Sequence, residues 1–351
     1  MDIVNKEHIK SFILKGSNSD VAVNIPLILA PMSGVTNSAF RRLIRELNPG
    51  ALGLSVTEFI SVEGLTRQNI RSLEMMRFKE TDRPISIQIF GGDIDRMVES
   101  AKMVEDCGAD VVDINSGCPV PKVVKRGGGC ELMRQSDHLI NILEKIKGRI
   151  SIPLTLKIRS GWDSSSINCL EIAKRAESVG VAMVTIHGRT RVDLYRGYAD
   201  WDIVQNVASS VKIPIIGSGD VIDFESAKER FRDGISGLMI GRGAMMNPWI
   251  FNDIITQYNG FELVKRDVSD YFKVVLRYID LLREDLPDKA VVGKVKQLAT
   301  QMIRDFRGAV DCRRSITQSS DLVQIINNLS EYSKKYTGIC FEKDEALNCY
   351  E

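Results

Sequence analysis

From residue 25 to about residue 250, short apolar runs alternate with stretches of helical periodicity. Runs at 25–30, 53–57, 85–90, 110–115, 153–158, 183–186, 213–217 and 238–240 have the β-branched, continuous character of buried strands. Between them apolar residues recur at helical spacing, as do Phe40, Leu43, Ile44 and Leu47 within 37–47. The same spacing marks 94–107, 138–147, 168–179, 202–209 and 226–233. So many strand–helix units predict a TIM (β/α)8 barrel, because a doubly wound sheet needs fewer. After Trp249 the alternation stops, and 268–284, 290–307 and 322–336 read as helices only. The expected organisation is a barrel over 1–258, a linker over 259–266 and an all-helical domain over 267–351.

Composition narrows the class. The chain has 351 residues, 44% hydrophobic and 26% charged, as a globular protein with an ample core would. Net charge is +1, so any nucleic-acid footprint must be local. Seven cysteines occur without a C-x-x-C pair, which argues against a disulfide framework or a metal site and for a reducing compartment. Residues 1–15 mix Asp2, Lys6, Glu7, His8 and Lys10 with apolar positions and so lack a secretory core. No apolar run is long enough to span a bilayer, so a cytoplasmic protein is expected, with no membrane partner.

Barrel enzymes draw their reacting groups from strand C-termini. Here those ends offer Pro31-Met32-Ser33, Gln88, Asn115 with Cys118, Lys157 with Arg159, His187, Ser218-Gly219-Asp220 and Gly241-Arg242. An isolated cysteine or histidine at such a place is commonly a satisfied core residue, and a lone inward lysine could simply pair with a carboxylate. Their convergence favours a site. Gly217–Asp220 and Gly241–Gly243 follow the last two strands, where barrels often hold a phosphate, and Arg242 could pair with it. Lys125-Arg126-Gly127-Gly128-Gly129-Cys130 suits a loop over the site. The residues thus describe a pocket with a phosphorylated ligand, a lysine, a histidine and a thiol.

As a set, Asp113-Ile114-Asn115-x-Gly117-Cys118-Pro119, Leu156-Lys157-Ile158-Arg159-x-Gly161, Thr185-Ile186-His187-Gly188-Arg189-Thr190 and Met239-Ile240-Gly241-Arg242-Gly243 resemble the dihydrouridine synthases. Ala30-Pro31-Met32-x-Gly34-Val35-Thr36 belongs to the same pattern, and the resemblance runs from about 25 to 255. It implies an FMN-dependent enzyme that reduces the C5=C6 bond of particular uridines in RNA, with tRNA the expected partner and NADPH the reductant. Carried over, Cys118 is the general acid at uracil C5, opposite the flavin hydride. Pro31, Met32, Ser33, Gln88, Lys157 and His187 would hold the flavin ring. Ser218, Gly219, Asp220, Gly241 and Arg242 would hold its phosphate end. Asn115 and Arg159 would read the flipped uracil.

In the family the helical domain binds tRNA, and here it carries Lys289, Lys294, Lys296, Arg304, Arg307, Arg313 and Arg314 against Asp288, Asp305 and Asp311. Lys296, Arg313 and Arg314 are the expected RNA contacts; a charge run can also be a plain solvated face. Asn37, Ser116 and the Gly217-Ser218-Gly219-Asp220 turn depart from common family residues, and Lys296-Gln297-Leu298 is the nearest match to a more basic family segment. Two other readings stand beside this one: an FMN oxidoreductase on a free pyrimidine or enone, like dihydroorotate dehydrogenases, and a non-catalytic RNA-binding factor. The modified position, tRNA against ribosomal RNA, and NADPH against NADH stay open, as does oligomeric state, with a monomer as the working expectation.

Overall fold

The computed structural model describes residues 9–338. The remaining residues, 1–8 and 339–351, lie outside this description, and with them part of the expected leaderless N-terminus and the end of the expected helical domain. Eight parallel strands close into a barrel: β1 (Leu27–Leu29), β2 (Leu54–Val56), β3 (Ile85–Phe90), β4 (Val111–Ser116), β5 (Leu154–Arg159), β6 (Met183–His187), β7 (Ile215–Ser218) and β8 (Gly237–Ile240). Closure comes from β8 pairing with β1 and β2 pairing with β3. Nearly every strand residue is buried, as expected where helices cover the outside and side chains fill the inside.

Register then places the chemistry. Gln88 sits beside Asp113, Asn115 beside Lys157, Arg159 beside His187, and His187 beside Ser218. Parallel neighbours at equal height bring residues far apart in sequence to one rim.

The barrel's other end is plugged by a hairpin, Phe12–Leu14 against Val21–Val23, which the sequence reading did not anticipate. Each strand contributes one fully buried residue, Leu14 and Val23, to the interior cluster with Ile28, Val56, Val111 and Ile216. Three-residue strands around Gly16-Ser17-Asn18-Ser19-Asp20 leave too little alternation to detect.

Helix α1 (Ser38–Leu47) follows β1 and is capped by Asn37, whose Oδ1 accepts from the Phe40 amide at 3.1 Å. The Asn37 Nδ2 also donates to Tyr278 Oη at 3.1 Å, a donor that an aspartate would lack. Tyr278 lies on α2 (Val268–Arg283), the first helix after the barrel, and α1 packs along it. Buried Arg42 donates to the Leu281 carbonyl and pairs with Glu284. The C-terminal helices therefore share one continuous core with the barrel.

Helix α3 (Asp288–Met302) stops short of the expected 307, and an additional helix, α4 (Ala309–Gln318), precedes α5 (Leu322–Tyr336). Ile303 and Phe306 remain buried through the turn, so apolar periodicity continues across the break. Gly308, at φ +75°, marks it; a Cβ there would lie 2.4 Å from Tyr336 Oη.

Candidate active site

A cavity of about 820 Å³ opens at the C-terminal mouth of the barrel. Pro31, Met32, Ser33, Asn115, Cys118, Lys157, Arg159, His187, Ser218, Gly219, Asp220, Gly241 and Arg242 all line it. Gln88 does not: it is fully buried behind Asn115. Ser116 is also buried away from the cavity. Lys296, Arg313 and Arg314 stand on the C-terminal helices, outside it.

Cys118 is 8% exposed. Its amide donates to Asn115 Oδ1 at 2.9 Å, and its carbonyl accepts from the Cys130 amide at 3.1 Å. That return contact needs Gly129, at φ +58°, where a Cβ would lie 2.5 Å from the Cys118 carbonyl oxygen. Burial pushes the Cys118 thiol up, against the opposing pull of the Val120 amide and then of Arg159 and Lys157, so it is a proton-carrying thiol at neutral pH. Cys130 is fully buried and pushed up to about 12, inert beside it.

Lys157 points into the same space. Among the described residues its ammonium has no hydrogen-bond or ion-pair partner, and burial, followed by the Arg159 charge, lowers it to about 8. An unpartnered cation is costly, and the cost has a pH signature. The folded state holds this proton less tightly than the unfolded chain does. Stability from this group therefore rises as pH climbs from 8 to the ordinary 10.5, and the full penalty is present below 8. In flavin-free protein, Lys157→Met should be more stable than wild type by about 1–3 kcal/mol at neutral pH, the gap closing toward pH 10.5 in urea titrations. A gap that widens with pH would contradict the assignment.

Arg159 is 3% exposed and mostly committed. Nε donates to the Gly117 carbonyl at 3.0 Å, and Nη1 to the Thr190 and Leu194 carbonyls at 2.6 and 2.8 Å. It thereby ties the Cys118 turn to the loop after β6. His187 accepts from the Arg189 amide at Nδ1, 3.2 Å away. Burial and then four cations, Lys157, Arg159, Arg189 and Arg242, hold it well below the ordinary imidazole range. A neutral imidazole accepting at Nδ1 carries its proton on Nε2.

The last two strands build the anion end. Gly219, at φ +122°, and Asp220, at φ +56°, turn sharply. Asp220 accepts from the Ala199 amide at 2.8 Å and pairs with Arg189 at 2.9 Å and Arg242 at 3.2 Å. A carboxylate would repel a phosphate directly, so Asp220 acts here by holding two guanidinium groups. Among the described residues buried Arg189 keeps Nη1 without a hydrogen-bond partner, 3.7 Å from where a Gly219 Cβ would sit. At Gly241 a Cβ would come within 3.4 Å of Ala30 and Met32. Gly219, Gly241 and the guanidinium of Arg242 line this end of the cavity with Arg189 buried behind them, a surface that fits the phosphate of FMN.

Several lining residues escaped the sequence reading. Tyr195 is exposed and lies 5.6 Å from both Arg159 and Arg242. Phe59 and Phe90 meet edge to face at the rim. Lys122, on the short helix Pro121–Val124, and Arg126, in the basic glycine-rich loop that follows it, also line the cavity. Gln297, from α3, is the lining residue contributed by the C-terminal helices. On those helices Arg313 and Arg314 line a shallow groove with Thr300, Val310, Thr317 and Gln318, while Lys296 Nζ donates to the Thr317 carbonyl at 2.8 Å. Among the described residues no cluster of potential metal ligands occurs, and no helix is long and apolar enough to cross a membrane.

A sequence profile of the dihydrouridine synthase family matches residues 28–337. A probable tRNA-dihydrouridine synthase of Rickettsia bellii is 40% identical over 330 residues, 93% of this chain and 99% of that protein. One from Rhodobacter capsulatus is 41% identical over 226 residues, covering 64% of this chain and 69% of that protein. tRNA-dihydrouridine synthase B of Pseudomonas putida is 40% identical over 230 residues, 65% and 67% of the two chains. Among solved structures, a 2-naphthoyl-CoA reductase complex superposes with a TM-score of 0.52 at 15% identity, covering 73% of this chain and 52% of that one, a likeness of fold alone.

Proposed function

The chain belongs to the dihydrouridine synthase family, and from that premise we propose that it reduces the C5=C6 bond of uridines in tRNA, with Cys118 as proton donor. The observation that carries this reading is a thiol kept protonated in the same cavity as an unpartnered lysine and an anion pocket. FMN, recharged by NADPH, supplies when bound the hydride that adds at C6. Pro31, Met32, Ser33 and Lys157 would hold its ring, with the His187 Nε2–H available to an acceptor on it. Gly219, Gly241 and Arg242 would hold its phosphate, with Arg189 adding its charge from behind. Gln88 contributes only through Asn115.

The protein's own chemistry is one proton transfer. The Cys118 Sγ–H bond breaks as the proton moves to uracil C5, and the thiolate left behind is offset by Lys157 and Arg159 until solvent reprotonates it. A thiol this enclosed cannot meet a base stacked in RNA, so the uridine must be flipped out. Tyr195, Phe59 and Phe90 offer it aromatic faces at the rim.

The C-terminal helices would grip the RNA backbone. Changing Arg313 and Arg314 together to alanine should weaken tRNA binding roughly tenfold and flatten its salt dependence by about two ion equivalents, with NADPH oxidation unchanged. An unaltered salt slope in filter-binding titrations would remove these arginines from the interface. The direct test of the function is site-resolved dihydrouridine mapping after flavin-loaded protein and NADPH act on unmodified total RNA. Dihydrouridine at defined tRNA positions is the expected result. Signal confined to ribosomal RNA would move the substrate, and turnover of free uracil or orotate without RNA would overturn the reading.

A further inference from the structure

Behind Cys118 runs a buried chain of polar groups that the mechanism above does not use. Thr155 Oγ1 donates to Asp113 Oδ1 at 2.6 Å, and Gln88 Nε2 donates to Asp113 Oδ2 at 2.6 Å. Asn115 Nδ2 donates to Gln88 Oε1 at 2.7 Å. Asn115 Oδ1 then accepts from the backbone amides of Gly117 and Cys118 at 3.2 and 2.9 Å. Asp113, Gln88 and Thr155 occupy one barrel layer because β3, β4 and β5 pair in that register. All four side chains are buried, where a barrel interior is ordinarily filled by Val, Ile and Leu.

The chain can exist in one polarity only. At one end the two backbone amides can only donate, so Asn115 must turn its oxygen to them. Its nitrogen then faces Gln88, which must accept, leaving the Gln88 nitrogen to find an acceptor. Asp113, whose carboxyl burial pushes up, takes that donor on Oδ2 and is the terminus. Asn115 also lines the cavity, so its second Nδ2 hydrogen remains for an occupant. Lys157, next to Asn115 on β5, is the cation whose field Asp113 opposes.

We infer that Asp113 is a positioning residue for the acid: through Gln88 it fixes the orientation of Asn115, and Asn115 holds the Cys118 turn. The inference rests on Cys118 being the proton donor. Asp113→Leu removes the acceptor and strands the Gln88 amine. Asp113→Asn preserves the polarity, because its oxygen can serve Gln88 while its amine donates to Thr155, whose hydroxyl can turn to the Val112 carbonyl 3.4 Å away. Gln88→Met cuts the chain in the middle and leaves the Asp113–Thr155 bond in place.

The experiment is single-turnover tRNA reduction by flavin-loaded, pre-reduced protein, together with iodoacetamide labelling of Cys118 in the full chain. Asp113→Leu and Gln88→Met should slow reduction at saturating tRNA by roughly 30-fold or more, with half-saturation unchanged, while Asp113→Asn stays within about threefold of wild type. Cys118 labelling should quicken roughly tenfold in the first two and not in the third, with Cys130 and Cys169 labelling constant throughout. Should Asp113→Leu not fold, Gln88→Met decides. Unchanged reduction and labelling in Gln88→Met, or equal losses in Asp113→Leu and Asp113→Asn, would overturn the inference. A Cys118→Ala protein that still reduces tRNA would instead overturn the assignment of the acid, and the labelling pattern would still judge the chain.

Discussion

Cys118→Ala should keep its yellow flavin and its NADPH oxidation but lose tRNA reduction by about 10²–10⁴-fold, the usual contribution of a positioned general acid. The flavin half is spared because the contacts that hold the Cys118 turn are made by its backbone, the amide on Asn115 and the carbonyl on Cys130, while among the described residues the thiol meets only the Val120 amide. Alanine keeps both and leaves the turn in place. The proton is lost because among the described residues no other thiol or neutral acid stands in its place, Lys157 being the residue that would hold the flavin ring. Cys130 is fully buried and pushed up to about 12, and the neutral His187 is bound by Nδ1 to the Arg189 amide among four cations. Water could still protonate C5, at the residual rate. Single-turnover reduction of tRNA by pre-reduced protein measures the loss, with flavin absorbance as the control. A variant that reduces tRNA at the wild-type rate would place the acid elsewhere.

The barrel was legible because its strands are buried on both faces. Runs such as 85–90 and 110–115 read as strands without any partner in view, and helices that face them show a one-sided apolar stripe. Elements that bury little were invisible. Leu14 and Val23 are the single buried residues of two apolar strands only three residues long, and α4 buries only Ala309, Cys312 and Ile316. The site divides along the same line. Strand ends announce which residues reach the mouth, and thirteen of the expected residues line the cavity. What each side chain does there depends on partners across the barrel, which the sequence does not bring together. Gln88 and Asn115 look alike as polar strand ends, yet the first is spent on Asp113 and only the second meets the cavity. Gln297 arrives from a helix some 180 residues beyond Cys118 and carries no local mark.

Asp220 shows what such a partner is worth. Arg189, with 2% of its side chain exposed, is held by Asp220 at 2.9 Å and by the Arg196 and Gly197 carbonyls. Deleting the carboxylate leaves a buried guanidinium without its counter-charge, a loss of about 3–5 kcal/mol when one member of a buried pair is removed. Alanine at φ +56° adds roughly 1 kcal/mol, since aspartate and asparagine tolerate the left-handed region and alanine does not. Asp220→Ala in flavin-free protein should therefore lower unfolding free energy by about 4 kcal/mol, the two effects not being strictly additive. Asp220→Asn tolerates the turn and can still accept from the Ala199 amide, so it should lose less, chiefly the charge. Both variants leave Arg189 and Arg242 uncompensated beside Gly219 and Gly241. Inorganic phosphate should then raise the urea midpoint of either variant more than that of wild type, because an anion replaces the missing carboxylate. Equal phosphate effects in all three proteins would mean that Asp220 does not share its arginines with the anion, and the phosphate end would have to be sought elsewhere in the cavity.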